Sequence, residues 1–185
     1  MNKFSVKTVV AILVGAGLFF ILGRFVSIPS GIPDTNISIQ YGVLAFVAAT
    51  FGPVAGLLSG LIGHFLIDFS VSLSTPGEII WWNYIVASAF FGGAMGFVEP
   101  KLHIADGEFN KKEIFIFNIA QMVIHVVAWL VIAPILDMVM YGELADKAFV
   151  QGLTCAGIDI LATAVVGTLL CVAYAAAKPQ DESLE

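Results

Sequence analysis

Apolar stretches near the length that crosses a bilayer alternate along the chain with short polar breaks. Lipid offers the backbone no hydrogen-bond partner, so such stretches read as membrane-spanning helices. The pattern predicts spans at 6–28, 37–51, 54–73, 79–98, 113–137 and 148–177. Each break has a local cause. Ile28-Pro29-Ser30-Gly31-Ile32-Pro33-Asp34 cannot continue a helix, since two prolines remove donors and clash with the preceding turn. Phe51-Gly52-Pro53 and Ser74-Thr75-Pro76-Gly77 make turns, and Glu99 to Lys112 forms a polar loop. The expected fold is an all-α integral membrane protein, a six-transmembrane-helix bundle forming one domain over residues 1–185.

Composition agrees: 59% of the 185 residues are hydrophobic and only eight are Lys or Arg. Their placement gives the threading. With a cytoplasmic amino terminus, Lys3, Lys7, Lys101, Lys111, Lys112 and Lys178 all lie inside. Lys147 alone falls in an outer loop, and Arg24 sits near the outer end of the first span. This is a strong positive-inside bias. It also decides the doubtful second segment, which is short for a crossing. Fusing it to the third would carry the 99–112 loop outside, so six spans with both N and C termini cytoplasmic are expected. The first stretch lacks a small-x-small cleavage site and reads as a retained span. No basic stripe suggests nucleic acid. Cys155 and Cys171 form no CxxC and read as two apolar-face thiols.

Small residues recur every fourth position: Ala11/Gly15, Gly56/Gly60, Ser88/Gly92/Gly96 and Thr163/Gly167. Such ridges let helix backbones approach closely. Most read as internal packing. Ala11 and Gly15 differ because they lie on the cytoplasmic half of the first helix, where a partner protein could dock. Polar residues within spans cost more and therefore mean more. The Gly56/Gly60 ridge continues to His64 and Asp68; Gln121, His125 and Trp129 make a second column; Asp159 heads a third with Thr163. His64/Asp68 and His125/Asp159 are read either as satisfied pairs that lock the bundle or as the lining of a cavity open to the outer face. A third reading makes His64 and His125 metal ligands, although no resident metal is expected. Asn36, Gln40 and Tyr41 after the first loop, and Trp81, Trp82, Asn83 and Tyr84 after the second, suit either an interfacial belt or a ring-shaped, polar-edged ligand.

Several chemistries are missing from the pattern. No GxxxxGK[ST] cradles ATP, Gly56-Leu57-Leu58-Ser59-Gly60 is not a nucleophile elbow, and no HExxH suggests a protease. The chain reads as a binder of something from outside that depends on another protein for energy. A membrane enzyme using His64 and Asp68, and a stand-alone channel or facilitator, remain the other classes.

Taken together, the size, the in/in layout, Ala11/Gly15 after a basic amino terminus, and the stretches Ile32-Pro33-Asp34-Thr35-Asn36-Ile37 and Phe51-Gly52-Pro53-Val54-Ala55-Gly56 resemble a known family. It is that of the substrate-binding S components of energy-coupling factor (ECF) vitamin transporters, in the riboflavin/cobalamin-type branch. The usual AxxxA of the first helix here carries Gly15 as its second member. The resemblance implies a prokaryotic cytoplasmic membrane protein that binds a vitamin in an outer pocket. It implies docking, through Ala11 and Gly15, on a transmembrane coupling protein driven by two ATPases, and toppling in the membrane to release cargo. The chain itself would then be no enzyme and hold no cofactor, the vitamin being cargo and ATP belonging to the partners. Cobalamin is the expected cargo, its amide-rich edge suiting Asn and Gln, with riboflavin the alternative.

Overall fold

The computed structural model describes residues 5–29 and 36–178. Lys3, the centre of the first predicted break and the tail from Gln180 to Glu185, read as a frayed end, lie outside the described residues. Among the described residues there are six main helices: α1 (Val6–Phe25), α2 (Gln40–Phe51), α3 (Pro53–Ser74), α4 (Trp82–Gly96), α5 (Lys111–Tyr141) and α6 (Ala145–Ala176). Four of them, α1, α3, α5 and α6, are long and apolar enough to cross a membrane. Their outward faces carry exposed Val10, Leu13, Phe115, Val123, Leu161 and Leu169. Lipid is the solvent those faces require.

The first span ends at Phe25, earlier than its hydropathy predicts. Ile28 precedes a proline, which disfavours helix, and Ile28–Pro29 pairs antiparallel with Asn36–Ile37 as a two-stranded ribbon, β1 with β2. The second helix begins at Gln40 and spans 12 residues. At ~1.5 Å per residue it is far shorter than a bilayer core. It needs no such length, because every residue from Gln40 to Thr50 except Phe46 is buried by protein. Gly52, at φ 86°, turns α2 directly into α3 with Pro53 at the first helical position.

Glycine sets the closest contact in the bundle. A Cβ on Gly56 would stand 2.1 Å from the carbonyl oxygen of Gly92, and one on Gly92 would stand 2.2 Å from that of Gly56. Gly60 faces the Ser88 carbonyl and Gly96 faces Pro53 in the same way. The four-residue ridges of α3 and α4 are therefore one seam between two helices.

Two turns of π-helix interrupt the long helices, at Ala128–Ile132 in α5 and Thr163–Gly167 in α6. The first precedes Pro134. A proline ring crowds the carbonyl four residues back, and a widened turn relieves it. The second packs on α2, where Gly42 admits Val166 and Gly167. Nothing in the sequence signals it.

The helices alternate in direction. Lys7 lies over Phe51, Gly96 meets Pro53, and Gly107 meets Lys178, so both described termini and the 97–110 loop share one end. The ribbon, the 75–81 connector and the 142–144 turn share the other. The lysine pattern predicts that the first end is cytoplasmic. In a chain whose Cys155 and Cys171 are replaced by serine, a cysteine at exposed Asp146 should react with an impermeant thiol reagent in intact cells, and one at exposed Asp106 should not. The reverse pattern would overturn the threading.

Candidate functional site

At the end opposite the termini the bundle opens into a chamber of about 270 Å³. The last turn of α1 gives Gly23, the ribbon gives Asn36 and Ser38, and the first turn of α2 gives Gln40 and Tyr41. His64, Ile67 and Asp68 come from α3, Trp81 and Glu78 from the connector, Tyr84 from α4, Trp129 from the π turn of α5, and Cys155 and Asp159 from α6. The short α2 is what allows this. Because it starts well inside the bundle, its first turn forms a floor beneath the ribbon.

Ser88, on α4, organises the polar wall. Its hydroxyl donates to the carbonyl of Tyr84 at 2.9 Å. Tyr41 Oη and His64 Nδ1 each approach the same oxygen at 2.6 Å. A serine hydroxyl has one proton and two lone pairs, so Tyr41 donates to it and His64 carries its proton on Nδ1. The other imidazole nitrogen, Nε2, then faces Asp68 Oδ1 at 3.8 Å. The second oxygen of Asp68 accepts the Trp81 backbone N–H at 2.8 Å, fixing the start of α4 over the chamber. Tyr141, at the end of α5, steadies the same connector by accepting from the Trp82 N–H and donating to the Ile80 carbonyl. On the facing side Ser38 donates to Gln40 Oε1, and the amide lies so close to α1 that a side chain at position 23 would have to displace it.

Of the residues singled out from sequence, Asn36, Gln40, Tyr41, His64, Asp68, Trp81, Tyr84, Trp129 and Asp159 line this one chamber. Four do not. Trp82 points outward and packs on Phe65, as an interfacial ring does. Asn83 is fully buried in the first turn of α4. Gln121, about two helix turns before Trp129, donates to the Ile160 carbonyl. His125 stacks on Phe91 at 3.9 Å and meets Thr163 at 3.2 Å, so it pairs with Thr163 and not with Asp159. The Tyr41 ring lies against His125 while its hydroxyl and His64 share Ser88. No group of three His, Cys, Asp or Glu among the described residues could hold a metal ion.

Ser88, Ser38, Glu78 and Cys155 escaped the sequence reading. Cys155 was findable, one turn before Asp159 on the same face. Ser88 was visible only as a small residue on a packing ridge. Its role depends on the seam that presses α4 against α3.

The partner-docking pair divides. Ala11 lines a separate apolar groove of about 600 Å³ with Lys7, Val10, Val14, Phe51 and Tyr174, at the end that carries the termini. Gly15 turns inward, where a Cβ would meet Ser59 and Val47.

The family model for "ECF-type riboflavin transporter, S component" matches residues 3–176. The chain belongs to this family. It is a family of transport subunits, not of enzymes. The chain is also similar to proteins of Staphylococcus aureus named UPF0397 proteins. Those of strains MSSA476, RF122 and Newman are each 43% identical over 183 residues, covering 99% of this chain and 97% of theirs. No solved structure matches the chain significantly.

Proposed function

We propose that this S component captures a vitamin-class ring compound from outside the cell and hands it to an energised coupling module. The observation that carries this is the chamber: a polar and aromatic pocket that opens at one end of the bundle, in a sequence with no ATP-binding loop. With the termini inside, as the lysine pattern predicts, the chamber at the opposite end faces the outside. A transmembrane coupling protein and two ATPases supply the energy, and the Ala11 groove on the cytoplasmic half is their docking surface. Val14 is exposed in that groove, so Val14→Trp should block close approach of a partner helix. Uptake should fall to background while cargo affinity stays unchanged.

Of the two vitamins considered, the chamber favours riboflavin over cobalamin. Asn83 and Gln121, two of the amides that pointed to cobalamin, lie outside the lining, and about 270 Å³ suits a compact ring system far better than a corrin with its nucleotide loop. Calorimetry of the purified chain should show binding of riboflavin and none of cobalamin. The reverse would restore cobalamin. Reconstituted alone in liposomes the chain should be inert. ATP-independent uptake would identify a facilitator, and turnover of an added compound an enzyme.

A further inference from the structure

The carboxylates of the chamber have no fixed counter-charge. No lysine or arginine lines it. Arg24, next to the lining residue Gly23, is turned away, with Nε on Ser70 at 3.1 Å and a terminal nitrogen on Ser74 at 3.2 Å. His64 faces Asp68, but Glu78 at the exposed rim and Asp159 at the base have no ion-pair partner among the described residues. Asp159 is only 5% exposed. A buried carboxylate without a counter-ion is costly, so a partner brought by the cargo would be strongly favoured there.

The proton count at Ser88 says the same thing independently. With Nδ1–H committed to Ser88, the imidazole presents the bare lone pair of Nε2 toward Asp68. With that tautomer the edge holds two acceptors 3.8 Å apart, which a donor or a cation from the cargo would bridge. The rest of the wall is Tyr41, Trp81, Tyr84 and Trp129, whose ring faces attract positive charge.

We infer that the cargo carries a positive charge: a compact organic cation, heteroaromatic or amine-bearing, held between the aromatic walls with its charge toward Asp159 and the His64–Asp68 edge. This rests on the chamber being the capture site, and it refines the cargo beyond size. Riboflavin fits the volume but leaves Asp159 uncompensated, so a cationic ring outranks it.

The test is calorimetry on the full chain in lipid nanodiscs with two pairs of probes. Thiamine and 1-methylnicotinamide are permanently cationic; riboflavin and nicotinamide are neutral rings of related size. At least one cation should bind about tenfold or more tighter than its neutral counterpart. Asp159→Asn should weaken that binding by about tenfold or more, and Glu78→Gln by a few-fold. Asp106→Asn, at the other end, should change nothing. If Asp159→Asn does not fold, Glu78→Gln carries the comparison on the exposed rim. Riboflavin binding without any cation binding overturns the charge inference and leaves vitamin capture standing. Cation binding indifferent to both variants overturns it too, and so does failure of all four probes. Vitamin capture itself is judged separately, by loss of ATP-driven uptake when the chain is omitted from liposomes holding the coupling module.

Discussion

Gly56→Leu and Gly92→Leu should each leave no folded, monodisperse bundle in size-exclusion chromatography. At both positions the atom that a new Cβ would strike is a backbone carbonyl oxygen, 2.1 and 2.2 Å away. A side chain could swing aside; a helix backbone can yield only by moving the whole helix. Overpacking a core costs about 1–3 kcal/mol where side chains can adjust, and more where they cannot. Total stability is only about 5–15 kcal/mol, so separating α3 from α4 exhausts a large part of it. The chamber goes with the seam, because His64 and Ser88 face each other across it. Gly17→Leu is the control, since nothing lies within 4 Å of that position and its side chain would enter lipid. A Gly92→Leu chain that melts with the wild type would remove the seam from the account of stability.

Ser88→Ala should have the next largest effect, on cargo binding as well as on stability. The substitution strands two donors at once, the Tyr41 hydroxyl and His64 Nδ1–H, both of which end on the same oxygen. A buried donor left without a partner costs about 1–3 kcal/mol. Thermal unfolding should drop by several degrees, on the scale of about 4–8 °C per kcal/mol for small domains and less for larger ones. His64 would be free to turn, so affinity should fall by about tenfold or more. Tyr41→Phe keeps the ring and removes only one donor, so its effect should be clearly smaller. Equal effects from the two variants would mean that Ser88 does not hold His64 in place.

The helices were legible in the sequence because lipid imposes one rule on every residue of a span, and Pro29, Gly52-Pro53 and Pro76-Gly77 mark the ends. The Gly56/Gly60 and Ser88/Gly92/Gly96 ridges were legible as packing surfaces, and they are one. Which polar residues share a cavity was harder to read. Gln121, His125 and Trp129 recur at helical spacing, yet only Trp129 reaches the chamber, because α5 widens into a π turn there and the lower two face Ile160, Phe91 and Thr163. Spacing alone does not tell where the floor lies. The floor is set by the start of α2, and that start depends on the β1–β2 pairing, which joins residues on either side of a loop. Asn83 shows the same limit. It follows Trp81 by two residues, but the turn into α4 swings it into the core.

The enclosure of α2 also bears on how the chain is made. A 12-residue helix reaches about 18 Å, too little to hold itself across a membrane as it leaves the ribosome. The tight Gly52-Pro53 corner joins it directly to the long α3, so the two are expected to enter the bilayer as a single hairpin. Until α4 arrives from later in the chain, the Tyr41 hydroxyl lacks Ser88, its partner in the finished bundle. The floor of the chamber therefore precedes its walls in the order of synthesis, and the site is complete only once Tyr84, Trp129 and Asp159 have followed.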